Sequence, residues 1–161
     1  MKFKKIDIGR QGNFILGLLL IHFLFFGYLS NVYINSLPAD TIGDGILFLY
    51  KVMFNPTSFL SAIFLFLIIF FMTFRENFFE YGMRNSLWTI PFIIFESWVW
   101  YWFINGFDIT LIGVYFIRIE SYLTILTLVA LILCATFSGA VAKEKFKVYK
   151  EKALTITTER L

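Results

Sequence analysis

Two ionisable side chains stand in stretches that otherwise offer them nothing polar to work with. Glu96 lies within "FESWVWYW", residues 95–102, and His22 within "LLIHFLFF", residues 19–26. A carboxylate and an imidazole in reach of each other can fasten two elements together. They can also pass a proton, since imidazole is the side chain that changes charge nearest neutral pH. Other chemistry is poorly supplied. His22 is the only histidine, which leaves no bis-histidine haem inside the chain, and Cys134 is the only cysteine, which leaves no internal disulfide and no CxxC redox or zinc motif. There is no GxSxG, HExxH, phosphate loop or carboxylate pair at useful spacing, so neither enzyme chemistry nor a cofactor or metal is expected.

The elements that must carry Glu96 and His22 follow from composition. Of the 161 residues 59% are hydrophobic and 21% aromatic, with 22 Phe, against roughly 45–50% apolar usage in soluble domains. A soluble fold of this size could not bury that surface, whereas a lipid-facing exterior accommodates large rings freely. Apolar runs at Phe14–Val32, Phe59–Phe74, Leu87–Ile104 and Tyr122–Ala142 each approach the roughly 20 residues that cross a bilayer, and Glu96 is their only formal charge. Backbone groups in hydrocarbon have no water to bond, so these runs are expected to be helices in spite of their β-branched and aromatic content. The expectation is one domain, an all-α integral membrane protein built as a four-helix bundle. The first run is long for a signal sequence and lacks a small-x-small cleavage site after it, so it reads as an uncleaved helix.

Basic residues set the orientation. Lys2, Lys4, Lys5 and Arg10 precede the first run, Arg75 and Arg84 lie in the middle loop, and Lys143, Lys145, Lys147, Lys150, Lys152 and Arg160 follow the fourth, which leaves Lys51 and Arg118 for the other side. By the positive-inside rule both termini and the middle loop are cytoplasmic, in agreement with an even number of spans. The richness in Phe, Ile, Lys and Asn suggests an AT-rich bacterial genome, and so a bacterial cell membrane.

This topology brings the two ionisable groups to one depth. Counting from Asn13 and Leu87, His22 and Glu96 each lie nine residues in, about 13 Å from the cytoplasmic boundary. A charged group at mid-membrane costs about 3 kcal/mol on insertion scales, so Glu96 should face the bundle interior, find a partner or be protonated. Three readings stand open: a Glu–His or Glu–Ser/Thr hydrogen bond that fixes helix packing, a proton or cation relay, or contact with a polar group of another subunit. Trp100, four positions after Glu96, shares its face and would shield it from water. Trp98, Tyr101 and Trp102 lie toward the outer end of that run, as an aromatic belt would.

The connections carry further signals. After the turn-rich "NSLPADTIGDG", the segment "ILFLYKVMF", residues 46–54, is too short to cross and is expected to lie along the outer interface or dip in and return, with Lys51 snorkelling. "NPT", residues 55–57, then opens the second run. In "FRENFFEYGMRNS", residues 74–86, the four-residue spacing of Glu76, Glu80 and Arg84, with Arg75 alongside, predicts one charged face of a short helix, either an interfacial elbow or a cytoplasmic docking surface. Over about 15 residues around "EYGMRNSL" this stretch resembles the cytoplasmic coupling segment of ABC-2 type permeases, without a diagnostic motif. Those permeases have six spans, so the resemblance implies transport as an alternative function only. In the fourth run Ala130, Cys134, Ser138 and Ala142 recur every four residues, and Ala135 with Gly139 forms a second small-xxx-small pair. Such faces let membrane helices approach closely, here toward Gly17 and Gly27 of the first run or toward another protein. The last helix should continue into the cytoplasm, where its lysines attract anionic lipid headgroups at roughly 1 kcal/mol each.

Two functions are consistent with this inventory. The first is a small polytopic accessory protein, stabilising a larger membrane complex or acting as an immunity-type protein. The second is an oligomeric transporter or channel component with Glu96 as the coupling group. Partners are therefore lipids, other membrane subunits or copies of the same chain. Nucleic acid is not expected, because the basic residues flank the apolar runs.

Overall fold

The computed structural model of the chain describes residues 8–28, 48–54, 59–76 and 79–158. It is helical, with no strand among the described residues. Helix α1 covers Ile8–Leu20 and passes into a π-helical turn at Ile21–Phe26; α2 is Phe48–Phe54, α3 Phe59–Arg75, α4 Phe79–Asn105, α5 Thr110–Ile117 and α6 Ile119–Thr158. Two stretches, Phe79–Ile104 and Ile119–Ala153, are long and apolar enough to cross a membrane, and Gln11–Phe26 and Leu60–Arg75 are shorter apolar helices.

Several boundaries differ from the sequence expectation, for identifiable reasons. Helix α4 begins at Phe79 because "FEYGMRNS" has no breaker strong enough to interrupt it; even Pro91 lies within the helix. The last helix runs unbroken for 40 residues to Thr158, through the basic tail. Between α4 and α6 the chain forms an additional short helix, α5, which has no polar periodicity to announce it. Gly106, at φ 91°, ends α4 in the left-handed region where glycine is unstrained, and its N–H bonds the Trp102 carbonyl at 2.9 Å. Asp108 Oδ1 then accepts from the Thr110 backbone N–H at 2.9 Å and its hydroxyl at 2.7 Å, opening α5. Those two bonds, the hydroxyl's first, hold the Asp108 carboxyl below the usual carboxylate range.

The core lies along a seam where α3 packs on α6, the most extensive contact in the molecule, with α4 and α1 closing its sides. Ile21, Phe25 and Phe26 of the π turn, Leu65, Ile69 and Met72 of α3, Ile93 of α4, and Leu128, Ile132 and Ala135 of α6 are all buried in one cluster. The π turn widens the helix so that the adjacent Phe25 and Phe26 both enter the core, with their rings 5.1 Å apart edge to face. The segment expected to lie along the outer interface or to dip in and return is docked on the bundle. Leu49 of α2 is buried in the same cluster, with Met53 packed against it. The Lys51 side chain and the "NPT" segment lie outside the described residues.

The two small-residue faces of α6 part company. Ala135 and Gly139 point into the seam, and a Cβ added at Gly139 would stand 2.7 Å from the Phe70 carbonyl oxygen and 3.2 Å from Thr73 Cβ. The partner of this face is α3, not the first helix as expected. Gly17 of α1 likewise abuts Met72 of α3, whereas a Cβ added at Gly27 would meet nothing within 4 Å. Ala130, Cys134 and Ser138 are exposed on the opposite side, and Ala142 is half-buried. Gly139→Leu should therefore force α3 and α6 apart and cost about 1–3 kcal/mol as an overpacked contact. Ser138→Leu, one residue along but facing out, should be close to neutral; thermal unfolding of both variants in one detergent makes the comparison.

Candidate functional site

His22 and Glu96 meet. The imidazole, carried by the π turn, places Nδ1 2.9 Å from Glu96 Oε2 in α4. The carboxylate can accept from an Nδ1–H or, protonated, donate to a bare Nδ1, and the geometry serves both. Glu96 is 13% exposed and His22 32%, so the carboxylate is tucked in and the ring lies nearer the surface. Aromatic rings surround the pair. Phe23 sits edge-on to the imidazole at 4.8 Å and Trp100 lies tilted to it at 5.5 Å, itself stacked on Phe26 at 6.5 Å. The Trp100 indole N–H is buried there with no hydrogen-bond acceptor, leaving a donor beside the pair. Pro91, little more than one turn before Glu96, removes a backbone donor from α4, a defect that membrane helices tolerate where neighbours surround it.

A second polar cluster gathers at the opposite end of the α3–α6 seam, around Glu76. Helix α3 stops at Arg75, and the Glu76 N–H bonds the Thr73 carbonyl at 3.1 Å. Asn13 of α1 donates to the Met72 carbonyl at 3.2 Å and to Glu76 Oε1 at 3.4 Å, and Lys143 of α6 donates to the Glu76 carbonyl. Beneath them Thr73 and Ser86 share a hydrogen bond of 3.3 Å, while Ser86 donates to the Gly82 carbonyl and Thr89 to the Ser86 carbonyl. Glu76 thus ties α1, α3 and α6 together at one point.

This corrects the expected docking face. Glu76 is only 5% exposed, whereas Arg75, Glu80 and Arg84 are exposed. The four-residue spacing assumed one helix through the loop. In fact two helices end and begin there, so Glu76 turns inward while Glu80 and Arg84, on α4, face out, with the Arg84 guanidinium 4.9 Å above the Tyr81 ring. The participation of Asn13, Thr73, Ser86 and Lys143 went unread. The signal available was that each stands at the end of an apolar run where a polar group can either snorkel or pair.

At the other face of the molecule, Trp98 packs edge-on against Tyr115 of α5 at 5.5 Å, and Trp102 donates its indole N–H to the Asp108 carbonyl at 2.9 Å. The aromatic run is therefore divided: Trp100 serves the Glu96–His22 pair, while Trp98 and Trp102 hold α5. Among the described residues no three metal-ligating side chains converge.

A double-mutant cycle on His22→Ala and Glu96→Ala should return a coupling of about 0.5–2 kcal/mol in detergent-solubilised protein, the range of interhelical hydrogen bonds in membrane proteins. Glu96→Gln should retain most of the stability, because an amide oxygen still accepts from the ring. Chemical denaturation of the wild type, the two alanine variants, their double and Glu96→Gln, five proteins in all, reads both numbers, and an additive cycle would show that the contact does not hold α1 to α4.

No family model, curated protein or solved structure matches this chain, so its function has to be read from these contacts.

Proposed function

We propose that the chain is a four-span protein of the bacterial cytoplasmic membrane, with both termini inside, acting without catalysis as an accessory subunit of a larger membrane assembly or as an immunity-type protein. The four apolar helices, the bias of Lys and Arg toward one side, and an apolar exterior support the membrane part of this reading. Large side chains such as Phe23, Leu67, Phe71, Phe95 and Leu126 are exposed on all four helices, a distribution suited to lipid and not to water.

The observation that carries the accessory role is the outward face of α6. Ala130, Cys134 and Ser138 line up on its exposed side, with half-buried Ala142 following, while the inward pair Ala135 and Gly139 is already taken by α3. A small-residue stripe about 18 Å long on the outside of a bundle fits a helix of another protein better than it fits acyl chains. The Glu96–His22 contact then serves to fix α1 against α4.

A second reading, an oligomeric transporter or channel component, is favoured by the π turn under His22, since single π turns are frequent at functional sites. In that case the partly exposed imidazole would exchange protons between Glu96 and a neighbouring copy.

A maleimide–benzophenone probe on the single cysteine, Cys134, separates the two in intact membranes. The accessory reading predicts, on illumination, an adduct with a different membrane protein. A homo-oligomeric adduct, together with a proton-dependent flux that Glu96→Gln abolishes without disturbing assembly, would replace it with the transporter reading. Adducts with lipid alone would contradict both.

A further inference from the structure

A groove of about 610 Å³ opens where the α3–α4 elbow meets α6, at the end of the bundle that carries most of the basic residues. Its walls change character along α6. At one end Phe79 and Phe137, with rings 5.8 Å apart, and Val141 present half-exposed apolar surface. Further along, Lys143, Glu144 and Lys147 line the groove, and Glu151 stands one turn beyond Lys147. From Phe137 to Glu151 the helix rises about 21 Å, enough to pass from acyl chains into the headgroup layer.

We propose that this groove holds a single phospholipid with a zwitterionic, primary-amine headgroup, of the phosphatidylethanolamine type. The acyl chains rest on Phe79, Phe137 and Val141. The phosphate accepts hydrogen bonds chiefly from the Lys147 ammonium, with Lys143, which also donates to the Glu76 carbonyl, beside it. The amine reaches Glu151 beyond them and Glu144 beside them. Successive rows of α6, Lys143 to Lys147 to Glu151, are about 6 Å apart, the reach of a two-carbon ethanolamine arm. Charge decides the headgroup. The lining holds two lysines against three acids, of which Glu76 is turned to Asn13. A purely anionic headgroup would meet the lysines but face the carboxylates with more negative charge. A trimethylated amine would supply positive charge without N–H donors. A primary amine satisfies both ends of the site.

The inference rests on the membrane-spanning reading, and the two can fail separately. A chain that stays soluble without detergent removes both; a detergent-requiring chain indifferent to headgroup removes this one alone. The test is native mass spectrometry of the full-length, delipidated protein in mild detergent, titrated separately with dioleoyl phosphatidylethanolamine, phosphatidylcholine and phosphatidylglycerol. One phosphatidylethanolamine should be retained per chain, at least fivefold more tightly than either competitor. Lys147→Gln should weaken all three lipids severalfold, and Glu144→Gln combined with Glu151→Gln should erase the preference over phosphatidylcholine while leaving phosphate-dependent binding in place. All three substituted side chains are exposed, and the wild-type comparison is decisive without them. Equal retention of phosphatidylethanolamine and phosphatidylcholine, tighter retention of phosphatidylglycerol, or indifference to Lys147→Gln would overturn the proposal.

Discussion

On the membrane-spanning reading proposed above, hydrocarbon as the surrounding solvent is the constraint on which the arrangement depends. In lipid there is no hydrophobic gain from pressing one apolar helix against another, so association has to come from close packing and from polar groups that find one another. The molecule is organised accordingly. Phe103 is 77% and Ile117 82% exposed, while Ser61, Thr73, Ser86, Thr89, Ser97, Thr124 and Thr136 are buried. The buried hydroxyls largely bond carbonyls of their own helix, as Thr136 does to Ile132 and Thr124 to Glu120, while the Ser121 and Tyr115 hydroxyls and the indole N–H groups of Trp98 and Trp100 are buried without an acceptor. An inside-out distribution of this kind would be a liability in water.

Within that constraint three kinds of contact divide the work. Van der Waals packing dominates the α3–α6 seam, where Gly139 lets a backbone carbonyl approach. Charge-assisted hydrogen bonding concentrates at Glu76, which gathers Asn13 and Lys143 where the seam meets the basic, membrane-flanking segments. The ionisable pair of His22 with Glu96 joins α1 to α4. On the alternative transporter reading the last of these would also carry function, because a contact that fixes packing can pass a proton. The π turn that presents His22 also delivers Phe25 and Phe26 to the core, so the geometry of the pair is coupled to core packing.

How much of this was legible in the sequence depended on the range of the interaction. The helical class and the apolar runs follow from composition, because a run such as Phe59–Phe74 in lipid has only one way to satisfy its backbone. The juxtaposition of His22 and Glu96 follows from depth counting along antiparallel and parallel spans, which needs only the rise per residue. Helix ends were harder. The same "FRENFFEYGMRNS" reads as one amphipathic turn or as two helices meeting, and only the tertiary contacts of Glu76 with Asn13 and Lys143 decide it. The choice between the two faces of α6 was likewise unreadable: Ala130–Cys134–Ser138 and Ala135–Gly139 have the same spacing, and what selects the second is the shape of α3 at Phe70 and Thr73. Helix α5, eight residues without periodicity and held chiefly by Leu111 and Tyr115, left no sequence trace at all.

Everything in this account presupposes that the four apolar helices cross the bilayer with the polar elbow around Glu76 on the cytoplasmic side. Epitope tags at each terminus and within residues 36–44, probed with antibody on intact cells and again after permeabilisation, address that directly. The account requires the tag in 36–44 to be reached on intact cells and both terminal tags only after permeabilisation. A terminal tag reachable from outside, or a 36–44 tag reachable only from within, would contradict it.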